Sequence, residues 1–230
     1  MKMRVAIDGF RNSGSGVARG VRRRPAPVGG VAKRLLDVTI AAAALLFLTP
    51  IMMMLAFAIW RYDHSAPWFS HTRVGCRGER FQCFKFRSMV ANSADVLAEL
   101  LRTDAEAARE WAATQKLRRD PRITPIGQVL RVSSLDELPQ LFNVLMGQMS
   151  IVGPRPIVAD EAERYGADFD IYKSCRPGLT GLWQVSGRSD CAYADRVQYD
   201  VDYVKNWSFF LDAQIIAKTV PAVLGRKGSY

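Results

Sequence analysis

Between Leu35 and Trp60 the sequence is almost continuously apolar, interrupted only by Asp37, Thr39 and the pair Thr49-Pro50. At a rise of ~1.5 Å per residue such a run is long enough to cross a hydrocarbon core of ~30 Å, which makes it the membrane candidate of this chain. Two features argue against a simple span. Basic residues flank both ends, with Arg22 to Arg24, Lys33 and Arg34 before the run and Arg61, Arg73, Arg77 and Arg80 after it. Clustered Lys and Arg favour the cytoplasmic side, so this pattern puts both ends there. Pro50, near the middle, lacks the N–H that a helix uses and crowds the preceding turn, so a helix bends at it. A re-entrant helix over residues 31–62, entering the inner leaflet, turning at Thr49-Pro50 and returning, meets both conditions. A cleaved signal peptide fits worse, because the run is long and no small-residue cleavage pattern follows before Arg61.

At 230 residues the remainder is sized for a single globular domain, placed at 63–230 on the cytosolic side. Residues 1–30, rich in Gly, Arg and Pro and without apolar periodicity, read as a flexible basic leader. A formal net charge of +10 with nearly half the residues apolar describes a folded protein with an anionic partner. Nucleic acid, membrane lipid and a phosphorylated substrate all satisfy that. The four cysteines, Cys76, Cys83, Cys175 and Cys191, lack C-x-x-C spacing, and His64 and His71 lie far from the second pair, so zinc is not expected and a reducing compartment fits.

Periodicity gives a mixed α/β fold, mainly helical, with a small β-sheet. Trp68 to Thr72 and Phe81 to Arg87 read as short strands around a turn at Gly75 to Gly78. In the second strand Phe84 and Phe86 share one face, Lys85 and Arg87 the other. Residues from about Ser93 to Gln115 place Val96, Leu97, Leu100, Leu101 and Trp111 at helical spacing, as one amphipathic surface helix. A further helix follows Asp136. Another runs from about Tyr193 to the end, with Tyr203, Trp207, Phe209, Phe210, Ile215 and Ile216 available for the core or for a membrane interface.

Arg131 to Pro156 is the most informative stretch. Ser134 and Glu137 have capping-box spacing, but Pro139 would then lie inside the helix; with Asp136 as N-cap, Pro139 falls in the first turn, where its missing N–H costs nothing. Either register puts Asp136 and Glu137 at a helix N-terminus, where free N–H groups favour the ionised acid and attract phosphate. An ionised Asp beside a divalent cation can attack phosphorus, as in transport ATPases. Adjacent acids at a helix start are often plain caps, yet these are accompanied by Arg131, by Arg155 between two prolines, and by Arg176 and Arg188 around Gly178, Gly181 and Gly187. Gly and Pro shape turns that let backbone approach a ligand, and arginines offer paired donors to phosphate oxygens. Together with the apolar anchor, these residues describe a site for a phosphorylated substrate at a membrane surface.

The sequence resembles the bacterial sugar transferases that act as monotopic polyprenyl-phosphate phosphoglycosyl transferases, in particular the short exopolysaccharide type without an N-terminal helical bundle. The marks are KRLLD at Lys33 to Asp37, KFRSM at Lys85 to Met89, SSLDELPQLFNVL at Ser133 to Leu145, SIVGPRP at Ser150 to Pro156 and RPGLTGLWQVSGR at Arg176 to Arg188. They stand in family order and cover most of the chain. The resemblance implies that Asp136 is the nucleophile on the sugar-bearing phosphorus of a UDP-sugar, that UMP leaves, and that undecaprenyl phosphate then takes the phosphosugar. It implies Glu137 as partner acid, Mg²⁺ held by Asp136 and Glu137, and the cytoplasmic face of the bacterial inner membrane as the location. Lys85, Arg87, Arg131, Arg155 and Arg188 are the candidate phosphate contacts, a solvated strand face being the alternative for Lys85 and Arg87. Two positions depart from the family pattern: Gln148 stands where an acid is usual, and Thr49-Pro50 replaces Ser-Pro.

Inner-leaflet lipid is the further partner, a homo-oligomer is compatible with the reading, and nucleic acid is not expected, since no recognition module or stacking pattern accompanies the charge. The rival from another class is a membrane-tethered basic binding or scaffold protein without catalysis, which accounts for the charge but not for the acid pair.

Overall fold

A computed structural model describes residues 26–114, 116–186 and 192–224. The expected basic leader lies outside the described residues as far as residue 25, and Arg188 lies outside them too. The first element, α1, is a helix of 34 residues over Gly30–Asp63, long and apolar enough to enter a membrane. Only 17% of its most apolar stretch is buried, and Leu46, Phe47, Met53, Met54 and Phe57 are each more than 60% exposed, an apolar patch suited to lipid rather than water. Thr49 and Pro50 do not separate two helices. Pro50 sits inside a continuous one, leaving the Leu46 carbonyl without its usual donor, while the Thr49 hydroxyl donates to the Leu45 carbonyl at 2.5 Å. Both devices favour a bend without a loop.

The opposite stripe of α1 is buried against the rest of the protein. Lys33, Asp37, Ala41 and Leu45 follow one another at steps of four, and Met52 and Ile59 continue at steps of seven. Both ends are tied down. At the N-terminal end Lys33 Nζ reaches Asp212 Oδ2 at 2.6 Å, and Asp37 accepts from the Ser150 hydroxyl (2.8 Å) and the Ile151 N–H (3.0 Å). The Arg34 guanidinium donates to the carbonyls of Val144 and Leu145. At the C-terminal end the Arg87 fork grips Asp63 with two contacts of 2.5 Å.

Two strands, β1 (Trp68–Val74) and β2 (Arg80–Phe86), form an antiparallel hairpin with Trp68 opposite Phe86 and Arg73 opposite Phe81. A second pair, β3 (Ser150–Val152) and β4 (Gly178–Thr180), runs parallel, so the small sheet expected from sequence is two separate ones. The single helix expected over Ser93 to Gln115 is also two, α2 (Ser93–Thr103) and α3 (Ala105–Thr114). Asp104 divides them: its extended backbone ends α2 and its carboxylate caps α3 by accepting from the N–H groups of Glu106 and Ala107. The remaining helices are α4 (Pro125–Ser133), α5 (Gln140–Leu145), α6 (Phe169–Lys173), α7 (Leu182–Ser186), α8 (Tyr193–Lys205) and α9 (Phe209–Leu224).

The main core joins Ala41 and Leu45 of α1 to Phe86, Leu130, Val144 and Ile215, and a smaller one gathers Ile157, Tyr165, Tyr172 and Val201. Each large aliphatic side chain or phenylalanine among them contributes ~1.5–3 kcal/mol when taken out of water. Among the aromatic residues of the last segment Tyr203 is buried with Ile215 in the core, whereas Phe209 and Phe210 are exposed.

Candidate active site

The acid pair is placed by an abrupt change of backbone direction. Helix α4 is capped by the Thr124 hydroxyl, which accepts from the Gly127 N–H at 2.9 Å, and it ends at Ser134 in the left-handed region with φ 57°. A 3₁₀ turn over Leu135–Glu137 follows before α5. Neither cap expected from sequence forms: the Ser134 side chain makes no cap bond, Asp136 lies inside the turn, and Pro139 occupies the N-cap position of α5. Ser134 closes α4, and the tight turn leaves the two acids short of the start of α5. Their oxygens are therefore free to face β2 instead of capping backbone.

There Lys85 meets them, its ammonium 2.6 Å from Glu137 Oε1 and 3.4 Å from Asp136 Oδ2. Asn143, fully buried on α5, fixes that strand in place. Its Oδ1 accepts from the Phe84 N–H (3.0 Å), and its Nδ2 donates to the Gln82 carbonyl (2.6 Å) and to Gln148 Oε1 (2.7 Å). The amide thus acts as an extra rung on β2, and Gln148 serves this bracket.

The hairpin register brings Arg73 to the same face as Cys83 and Lys85, and a cleft that reaches Glu137 of the acid pair is lined by Arg73, Lys85, Glu137, Arg155, Trp183 and Gln184, with Asp136 just behind its wall under Lys85. Arg155 enters because β3 runs into Gly153-Pro154 and is pressed by β4. A Cβ on Gly178 would lie 2.1 Å from the Gly153 nitrogen, and one on Gly181 2.3 Å from the Gly153 carbonyl oxygen. The glycine-rich segment thus packs against backbone and holds the Arg155 loop, while Gly178 also lines the cleft.

Burial pushes Asp136 up, assisted by the neighbouring Glu137 charge and opposed by Lys85 and Arg131. Burial pushes Glu137 up as well, but Lys85, Arg155 and Arg73 outweigh it and hold this acid below the usual carboxylate range. One acid is thereby kept ionised while its neighbour becomes the more basic, a division of roles typical of reacting carboxylate pairs. Asp136 Oδ1 and Glu137 Oε2 have no hydrogen bond among the described residues, and no group of three His, Cys, Asp or Glu side chains able to hold a metal occurs there. That donor set suits Mg²⁺, which binds through one or two carboxylates and keeps water and substrate oxygens for its other positions.

Of the candidate phosphate contacts, Lys85 and Arg155 line the cleft. Arg131 donates from Nε to the Ser88 hydroxyl at 2.9 Å, close enough for its charge to act on Asp136. Arg87 is directed elsewhere. The β2 strand ends at Phe86; the Arg87 N–H still donates to the Pro67 carbonyl at 2.8 Å, but its fork is filled by Asp63 at the end of α1. Arg176 also points away, donating to the Gly147 carbonyl. Sequence reasoning missed Arg73 as a site residue, whose place follows from the cross-strand register, and Trp183, whose WQ context gives no sign of the stacking described below.

The sequence model of a family described as bacterial sugar transferase matches residues 28–226. The exopolysaccharide production protein ExoY of Rhizobium meliloti is 49% identical over 204 residues, covering 89% of this chain and 90% of that protein. The undecaprenyl-phosphate galactose phosphotransferase of Salmonella typhimurium is 52% identical over 198 residues, 86% of this chain and 41% of the longer relative. A UDP-glucose:undecaprenyl-phosphate glucose-1-phosphate transferase of Caulobacter vibrioides is 37% identical over 206 residues, 86% of this chain and 72% of that protein. With a family model that matches nearly the whole described chain and relatives of this identity and coverage, the chain belongs to the bacterial sugar transferase family.

Proposed function

We propose that this protein transfers a sugar-1-phosphate from a UDP-sugar to undecaprenyl phosphate, the first membrane step of exopolysaccharide or glycoconjugate assembly. The observation that carries the reading is the acid pair itself: a buried Asp136 beside Glu137, both within reach of Lys85, with Glu137 facing Arg73 and Arg155 in the cleft and Arg131 acting on Asp136. An oxygen of Asp136 attacks the sugar-bearing phosphorus, the bond from that phosphorus to the bridging oxygen breaks, and UMP leaves with the electron pair. A phosphosugar ester on Asp136 remains. A phosphate oxygen of the polyprenyl acceptor then attacks the same phosphorus, forming the diphosphate-linked sugar and returning the Asp136 carboxylate. Lys85 and Arg155 hold phosphate oxygens and offset the charge that gathers in each transition state. Mg²⁺, held by Asp136 and Glu137, would neutralise diphosphate charge and orient the leaving group.

The same reading places the enzyme monotopically on the cytoplasmic face of the inner membrane. What supports it is that Lys33–Asp212 and Asp63–Arg87 tie both ends of α1 to one folded body, an arrangement a membrane-crossing helix does not allow. A membrane-impermeant thiol reagent applied to intact spheroplasts should label neither Val31→Cys nor Ser65→Cys, and labelling of one of them would sink the monotopic topology.

The reaction is tested by UMP release from a panel of UDP-sugars, using detergent-solubilised protein, Mg²⁺ and undecaprenyl phosphate. UMP from one donor, lost in Asp136→Asn, supports it, as does a mass increase of one phosphosugar on the Asp136 peptide when acceptor is withheld. A folded, lipid-supplied preparation that yields no UMP from any donor would overturn it.

A further inference from the structure

Among the described residues, four buried side-chain polar atoms have no hydrogen-bond partner: Nε of Arg155, Nε of Arg196, the Tyr193 hydroxyl and Oδ1 of Asp200. Buried polar groups are nearly always paired, so a set of exceptions that falls in one place calls for a physical reason. Three of the four residues belong to one stack. The Arg155 guanidinium carbon lies 5.0 Å from the centre of the Trp183 ring, and that of Arg196 lies 4.8 Å from the same ring. Arg196 is also 5.4 Å from the Tyr193 ring, over which Arg164 lies at 4.8 Å. Cation and ring alternate, Arg155–Trp183–Arg196–Tyr193–Arg164, from the wall of the cleft outward.

A planar guanidinium is weakly hydrated and well suited to lying on an aromatic face. The manner of holding matters more than the strength. An arginine oriented by a carboxylate has its donors filled and its charge offset. Arg155 and Arg196 make no side-chain hydrogen bond or ion pair among the described residues, so ring faces orient them and their N–H donors stay open, while their charge acts on Glu137 and Asp200 only at a distance. Arg155 and Trp183 both line the cleft that contains Glu137.

We propose that this ladder is a preorganised oxyanion receptor, in which Trp183, backed by Arg196, positions Arg155 for the diphosphate of the nucleotide donor. The proposal rests on the phosphate-transfer reading above and adds to it two positioning residues. Arg155 is the group that touches the anion; Trp183 and Arg196 act through it. Removing the ring frees the Arg155 side chain to sample other rotamers, and ordering it again is then charged against binding of the anion, not of the nucleoside.

The test compares UDP with uridine as calorimetric probes of the full-length, detergent-solubilised protein in Mg²⁺ buffer. Trp183→Leu should weaken UDP binding about tenfold and leave uridine binding as it was. Trp183→Phe, which keeps a ring face at the same charge, should stay within about threefold of wild type. Should the leucine variant fail to fold, Arg196→Lys, which retains charge but gives up the planar stack on two rings, is expected to weaken UDP several-fold with an unchanged melting temperature. UDP affinity unaffected in Trp183→Leu, or in Arg196→Lys where it stands in, would overturn the ladder while Arg155→Ala still tested the contact itself. Wild-type protein that binds UDP no better than uridine would instead overturn the phosphate-transfer reading.

Discussion

The Lys85 ammonium stands 2.6 Å from Glu137 and 3.4 Å from Asp136, so it leans on Glu137 and leaves Asp136, the proposed nucleophile, less tightly engaged. Replacing it with methionine leaves two adjacent buried acids with more distant guanidiniums as compensation, and both acids then hold their protons more strongly. Lys85→Met should lower UMP release about a hundredfold, in the range seen when one transition-state donor is removed. The acidic limb of its rate profile should also move to higher pH. A rate loss without that movement would mean that Lys85 acts on the substrate alone.

Arg87 gives the opposite pattern. Its fork holds the end of α1 through Asp63 and does not line the cleft. Arg87→Met should cost about 1–3 kcal/mol of stability for the lost charge-assisted pair. UDP affinity, measured by calorimetry on the folded fraction, should not change; a large drop would put Arg87 back among the phosphate contacts.

The Lys33–Asp212 pair lies under α1 with side chains 5% and 4% exposed, and Asp212 also accepts from the Tyr203 hydroxyl and the Trp207 indole N–H. Lys33→Met alone strands a buried carboxylate and should cost about 3–5 kcal/mol. Combined with Asp212→Asn, the loss should fall well short of the sum of the single variants in denaturation experiments. Simple additivity would show that the two groups do not depend on each other.

Burial pushes the Asp200 carboxyl up to about 7, against the pull of a hydrogen bond from Tyr165 and the charges of Arg155 and Arg196. Unfolded, the group titrates near 3.9, so the folded state binds its proton more tightly, and stability falls as pH rises from about 4 to about 7 before levelling off. The melting temperature should be higher at about pH 5 than at about pH 8, and Asp200→Asn should remove part of that difference. An unaltered slope in the asparagine variant would show that Asp200 ionises normally.

What could be read from sequence divides along physical lines. The adjacency of Asp136 and Glu137 and the strand face of Lys85 were legible because short-range pattern sets them, whereas the 3₁₀ turn that holds the acids, in place of the expected helix start, was not. Arg87 was not, because alternation predicts a side chain's face only while the strand lasts, and β2 ends at Phe86. Arg73 depends on which residue of β1 sits opposite Phe81, a register that no local signal encodes. The division of one helix into α2 and α3 turns on Asp104 preferring to cap over continuing, a choice between two low-cost conformations. Trp183 was read as part of a glycine-rich loop; its role depends on arginines from two distant segments.

With α1 seated in a bilayer, the ties at both of its ends leave the helix and the cleft no freedom to move apart. The height of Asp136 above the lipid surface then becomes a constant of the fold rather than a fluctuating distance. A lipid-borne acceptor carries its phosphate at one depth, so the encounter reduces to lateral diffusion in a plane, and a soluble nucleotide is the one reactant that must be searched for in three dimensions.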